Sequence, residues 1–360
     1  MRSFPLNIIA KNATISINKL DYFTSFHSVR NDSIKIFIII FMLSSMLSFA
    51  QNAEPKLHGY IQSRFTNDFG NQNDFMIRRA KLWVDGNAPG LENVSYKIQT
   101  VYRSFKDETV MLQDAFADVK FNGFGFLRVG RFVPDFLLQR MQPDYAIPYL
   151  ERADVINYLI HSPQSMARQI GIQFTYTPRE FPIHLSAGVF NANLVSPSKN
   201  KNQNLLYTSH TQIDLKKSDD VLAKVGFSFA YRYVNSLSMN TIFNSDQLIT
   251  GNDFRFGFEY QLNYKNFVLQ TEYIQANIDN YKAWGYYIVT NYSFTKKIQA
   301  ICGIEKFSDL ITDTNNNQWY SVGLIYYLTS NTKLITDFKT QVSSTKNNYL
   351  SEIQYQIFFN

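Results

Sequence analysis

The residues in this chain with chemistry to offer are single bases in apolar company. Arg64, Arg79, Lys81, Lys97, Arg103, Lys120 and Arg128 each have at least one aromatic or aliphatic neighbour. Further along, Lys224, Arg232, Arg255, Lys333 and Lys339 repeat the arrangement. The acids that share their alternation, Asp85, Asp114, Asp118, Glu259, Glu272, Glu305, Asp337 and Glu352, are fewer. Bases ringing a narrow wet passage replace part of an anion's hydration and raise the barrier to cations. The bland alternative is that such charges only hold carboxylates on neighbouring strands. Asp114 and Asp118 are placed to neutralise Arg79 or Lys97 in that way.

No set of residues reads as catalytic. Ser and His pairs lack the glycine frame of a nucleophile elbow, no glycine loop cradles phosphate, and no acids pair as in a glycosidase. His27, His58, His161, His184 and His210 share no metal-ligand spacing, so neither metal nor cofactor is expected. The lone Cys302 rules out internal disulfides. A net charge of +6 admits nucleic acid as a partner, but the bases are scattered singly and no binding signature accompanies them. A channel for small hydrophilic or anionic solutes is the reading that remains.

Such bases need elements that turn one side chain inward and the next outward. The chain has 23 Tyr and 31 Phe, only 18% charged residues, and a slightly polar mean hydropathy of −0.23. Many aromatics with a polar average imply interleaved wet and greasy positions rather than a core under a charged shell. The alternation is visible directly. Leu57, Gly59, Ile61 and Phe65 oppose His58, Tyr60, Gln62 and Arg64; Ala80, Leu82 and Val84 oppose Arg79, Lys81 and Asp85. Much later, Phe254, Phe256, Phe258 and Tyr260 oppose Arg255, Gly257, Glu259 and Gln261. Side chains switch faces at every step of a strand, so each segment has one apolar and one polar face.

Short breaks at 87–93, 122–123, 177–182, 216–220, 265–266, 295–297 and 329–331 alternate with mostly longer ones. The longer ones fall at 66–73, 104–109, 134–167, 191–204, 235–251, 277–282, 309–317 and 343–348. Together they separate sixteen strands. Short turns at one end and longer loops at the other, with an even count, predict a transmembrane antiparallel β-barrel in a bacterial outer membrane, in contact with its lipid. A barrel of about sixteen strands leaves an aqueous channel. A soluble sandwich is the rival, but two sheets cannot hide so many apolar strand faces.

The start of the chain fits export. Lys35, the apolar run from Ile36 to Phe49 and the exit Ser48-Phe49-Ala50 make 33–50 a secretory signal peptide. The run is about 14 residues, short of the roughly 20 that a spanning helix needs. The barrel is then 51–360, and the polar stretch 1–32 suggests that translation starts nearer Val29.

Motifs in order along the chain sharpen this. They are IRRAKLWVDG (Ile77 to Gly86), LQDAFADV (Leu112 to Val119), LRVGRFVPDF (Leu127 to Phe136), YLERADVI (Tyr149 to Ile156), ARQIGIQF (Ala167 to Phe174), AGVFNAN (Ala187 to Asn193), FVLQTEYI (Phe267 to Ile274) and VGLIYYLTSNTKL (Val322 to Leu334). In these the chain resembles the phosphate-selective porin family, the O and P porins. The resemblance implies a sixteen-stranded, commonly trimeric barrel passing small anions, with its long third outer loop folded into the lumen. The longest break, 134–167, is the third outer loop by the count above. It departs from the family in Arg168-Gln169, where Arg-Asp is usual, and in ending Phe358-Phe359-Asn360 rather than on an aromatic.

Within that loop Arg140, Glu151, Arg152 and Arg168 are expected at the constriction, with Glu151 holding an arginine in place. Tyr145, Tyr149, Tyr158, Ile147, Leu150, Ile156 and Leu159 predict that the loop packs against the wall. Arg78 breaks the pattern by sharing parity with Ala80 and Leu82, which calls for a rim position, a bulge or a subunit contact. A second function class, an adhesin or ligand-binding barrel working through its outer loops, draws on the Asn-rich segments 198–204 and 315–317.

Overall fold

The computed structural model describes residues 54–359 apart from 71–72, 104–108, 161–165, 193–203, 219, 240–242, 244–246, 309–316 and 343–347. The expected leader and the stretch before it lie outside the described residues, as do 198–203 and 315–316 of the Asn-rich segments. Residues 56–360 form one compact unit.

Alternating sequence becomes sixteen antiparallel strands. They are β1 (Lys56–Asn67), β2 (Asn73–Ala88), β3 (Leu91–Arg103), β4 (Thr109–Phe121), β5 (Gly125–Phe132), β6 (Gln169–Tyr176), β7 (Ile183–Asn191) and β8 (Leu205–Lys217). Then follow β9 (Val221–Ser238), β10 (Leu248–Tyr264), β11 (Phe267–Ile278), β12 (Tyr281–Ser293), β13 (Ile298–Ser308), β14 (Asn317–Thr329), β15 (Thr332–Val342) and β16 (Asn348–Phe359). Each strand pairs with its chain neighbours, and β1 closes onto β16 from Gly59↔Phe359 to Asn67↔Ser351. Closure leaves no free sheet edge, the condition for crossing a bilayer with strands.

The usual order of burial is inverted. Gln62, Arg64, Lys81, Arg232, Arg255 and Gln354 are buried, while Leu57, Ile61, Leu82, Phe258, Val322 and Leu324 are exposed. An exposed apolar band of this extent, far above the few hundred Å² that soluble monomers tolerate, requires an apolar solvent around it. The polar face is the enclosed one.

One expected long connection is corrected. The polar run at 277–282 reads as a loop, yet Asn277 pairs with Lys282 in the ladder and only Asp279 and Asn280 turn. Asp279 takes a left-handed φ of 52°, and its N–H donates to Asn252 O at 2.7 Å. Aspartate tolerates this conformation better than most residues, so two residues suffice.

The anomaly at Arg78 resolves as a bulge. Gln62 pairs with Arg79 and Ser63 with Ile77, so Arg78 is skipped in the register. The extra residue re-aims its side chain.

The β5–β6 connection carries two short helices, α1 (Leu138–Met141) and α2 (Asp154–Leu159). Leu137, Tyr149, Leu150, Val155, Ile156 and Leu159 are buried and belong to an apolar cluster with strand residues such as Ile274, Tyr287 and Ile301. Two strand glycines make the fit. A Cβ on Gly257 would stand 2.5 Å from Leu137 Cδ1, and one on Gly285 would stand 2.9 Å from Val155 Cβ. Leu137 sits at a left-handed φ of 59°, a strain on the order of 1 kcal/mol, while its N–H donates to Ser228 Oγ at 3.0 Å.

Candidate functional site

Strands β1 to β5 and the β5–β6 connection together line a cavity of about 380 Å³. The strands deliver side chains by alternation: Lys81 and Trp83 from β2, Lys97 and Gln99 from β3, Asp114 and Phe116 from β4, Arg128 and Phe132 from β5. The connection delivers Arg140, Asp144, Tyr145, Arg152 and Arg168. Six bases thus meet three acids, Asp114, Asp135 and Asp144, for a formal excess of three positive charges.

The charges are wired in a definite order. Asp144 accepts from Lys81 and Arg152, and Tyr60 Oη donates to it at 3.3 Å. Arg79 Nε lies 3.7 Å from the same carboxylate. Arg168 Nε is 2.5 Å from Asp114, and Arg128 grips Asp118 through two hydrogen bonds of 2.7 and 2.8 Å. The Arg128 guanidinium also lies 4.0 Å from the centre of the Phe116 ring, a cation–π contact. Lys97 is different. Its ammonium stands 5.2 Å from the Trp83 ring and, among the described residues, has no carboxylate within 4.0 Å.

Beside the cavity, Glu151 gathers three guanidiniums. Arg64 Nη2 is 2.8 Å away, Arg79 Nη2 is 2.7 Å away, and the bulged Arg78 donates from its Nε. Arg64 also bonds Glu352 at 3.0 Å. Burial pushes the Glu151 carboxyl up, but Arg79, Arg64 and Arg78 outweigh it and hold it well below the usual carboxylate range. The bulge therefore serves an ion-pair network that ties the connection to β1 and β2.

Of the residues singled out in the sequence, Lys81, Lys97, Arg128, Arg140, Arg152 and Arg168 come together around this cavity. Arg64, Arg79 and Glu151 form the adjoining network. Lys120 is exposed beside the Asn122 turn and lines no part of the cavity, and the Arg103 side chain lies outside the described residues. Arg140 is buried, with Nη2 donating to Met166 O at 3.1 Å. Sequence reasoning missed Asp144, the acid that joins Lys81, Arg79 and Arg152. Its only sign was position, an acid between two expected loop arginines. It also missed Asp253, which binds Arg232 at 2.8 Å and Arg255 at 2.7 Å.

Known proteins agree with this architecture. An OmpF structure from Salmonella typhi in complex with daunomycin superposes with a TM-score of 0.62 at 12% identity, covering 86% of this chain and 99% of that one. An anion-selective porin from Comamonas acidovorans gives 0.59 at 10% identity, covering 86% and 100%. The trimer form of OmpT from Vibrio cholerae gives 0.58 at 12% identity, covering 85% and 99%. At such identities the likeness is one of fold. No curated protein matches the chain. The family model described as phosphate-selective porin O and P matches residues 58–301, about two thirds of the sequence. With its closed sixteen-stranded barrel and inverted burial, the chain belongs to the phosphate-selective porin O and P family and is a porin of the bacterial outer membrane.

Proposed function

We infer that this porin passes small hydrophilic solutes with a mild preference for anions such as phosphate, and that the β5–β6 connection is its constriction. The observation that carries the reading is the excess of six bases over three acids around one cavity, with no described carboxylate within 4.0 Å of Lys97. A solute squeezed between β2–β5 and Arg140, Arg152 and Arg168 sheds part of its water against cations, which favours anions. Asp144, Asp114 and Asp118 hold most of those cations in place, which is why the preference is mild rather than absolute. We extend the reading to a homotrimer, a form in which OmpT of Vibrio cholerae occurs. For the chain's start, the reading is export by 33–50 with a mature protein beginning near Gln51.

The test is a planar bilayer under a potassium chloride gradient. Stepwise conductance with a reversal potential of anion sign is expected. A cation-sign potential overturns the preference, and no steps overturn the open channel.

A further inference from the structure

A second cavity, of about 520 Å³, lies against the same connection but faces strands β10 to β16 and the short turn at Ser330-Asn331. Gln142 and Tyr145 line both cavities, so the two adjoin. Its chemistry is different. Amides dominate, among them Gln261, Gln270, Asn291, Gln299 and Gln356, and Lys333 is the one charged side chain among its lining residues. That ammonium already donates to Tyr145 O at 3.1 Å.

Three of the amide oxygens here, Gln142 Oε1, Gln270 Oε1 and Asn291 Oδ1, are buried with no protein partner among the described residues. The Asn291 amide is oriented by its Nδ2, which donates to Pro148 O at 3.2 Å, so its oxygen is the atom left without a partner. Gln270 and Asn291 are themselves buried. Lone acceptors call for donors. Phosphate at neutral pH is chiefly an acceptor, and it meets one cation here, Lys333, against the six bases of the first cavity. A hydroxyl both donates and accepts, matching a primary amide on each side. Tyr145, Tyr327 and Phe358 add flat apolar surface of the kind a carbon–hydrogen ring face covers.

We propose that this amide-lined cavity is a subsite for neutral polyhydroxylated solutes, the sugar and polyol class, on the short-turn side of the constriction. The proposal rests on the channel reading and deepens it. The porin orders its two chambers by chemistry, cations first and neutral hydrogen-bonding groups second.

The experiment uses the full-length protein in planar bilayers with maltotriose as probe and a polyethylene glycol of similar hydrodynamic size as control. The control has ether acceptors but donors only at its ends. Maltotriose is expected to reduce the current saturably, while the glycol reduces it only in proportion to concentration. Gln270→Leu is expected to raise the half-blocking concentration about fivefold, the scale of one lost hydrogen bond. Gln270→Glu, which keeps an acceptor and controls for folding, is expected to stay close to the parent. Normal conductance steps with no saturable response to maltotriose overturn the subsite alone. So does an unchanged half-blocking concentration in Gln270→Leu. An absence of steps in salt overturns the channel reading first, and the subsite with it.

Discussion

Two arginine clusters inside the barrel look alike in sequence and end differently in space. On the β2–β5 side, Lys81, Lys97, Arg128, Arg152 and Arg168 surround open volume. On the β9–β10 side, Arg232 and Arg255 are 2% and 0% exposed, clamped on an Asp253 that is 1% exposed. Arg232 Nη1 donates to Ala192 O at 3.0 Å, and Arg255 donates to Leu159 O from α2. Arg255 Nη2 also lies 3.8 Å from Met239 Sδ, and Met239 and Leu159 belong to the apolar cluster. The first cluster borders open volume and the second is sealed. Strand parity gives both the same inward direction. What separates them is the β5–β6 connection, which leans its apolar residues on one side of the barrel and leaves the other wet.

The largest effect expected from this contrast is at Asp253. Removing the shared carboxylate leaves two guanidiniums buried without their partner, which costs about 3–5 kcal/mol. Asp253→Ala is therefore expected to lower the midpoint of heat- or urea-induced unfolding, read by gel mobility, while the reversal potential of whatever inserts stays where it was. A variant as stable as the parent, or one with altered selectivity, would break the distinction between a sealed and a solute-facing cluster.

On the open side the expectation is the reverse. Lys97 lacks a near carboxylate, so Lys97→Glu changes the cavity's charge by two without orphaning a partner. Stability is expected to hold. The anion-to-cation permeability ratio is expected to fall roughly fivefold, the effect of about 1 kcal/mol between charges a few ångströms apart in water. An unmoved reversal potential would place Lys97 outside the solute path.

The barrel was legible because its determinants are local. Two-residue alternation and turn chemistry gave all sixteen strands; of the long connections the Asp279-Asn280 turn was misread, since a polar ladder pair such as Asn277 and Lys282 looks like loop, and 235–251 was drawn too wide, since β9 runs to Ser238 and β10 starts at Leu248. The bases of the cavity were legible too, through parity in β2 to β5 and charge in the connection. What stayed hidden depends on contacts far apart in the chain. Asp144 joins residues more than sixty positions away on β2, and Gly257 and Gly285 matter because Leu137 and Val155 dock there. Arg78 was recognisable as an exception, but the bulge that explains it belongs to the pairing with β1.

The two sides also differ in how the connection is held against them, and pH separates the two attachments. Toward β1 and β2 the anchor is Glu151, whose carboxyl lies well below the usual range, so that attachment weakens only in strong acid. Toward β13 it is Asp154 at the start of α2, whose N–H donates to Glu305 Oε2 at 3.0 Å. Burial and the nearby Glu305 push the Asp154 carboxyl up to about 7, although Lys339, 3.8 Å from Glu305, pulls it back. A carboxyl raised in the docked state stabilises docking fully below its ordinary value of about 4, and that stabilisation is lost as pH rises through about 7. Closing events in single-channel records are therefore expected to become more frequent as pH rises from about 4 to about 7 and then to level off, on the order of twofold because the Glu151 anchor persists. Asp154→Asn cannot ionise and is expected to flatten the profile at its low-pH level. A profile that keeps its slope in Asp154→Asn would assign the loosening with rising pH to Asp337 or another carboxylate facing Lys339, and would remove α2 from the comparison.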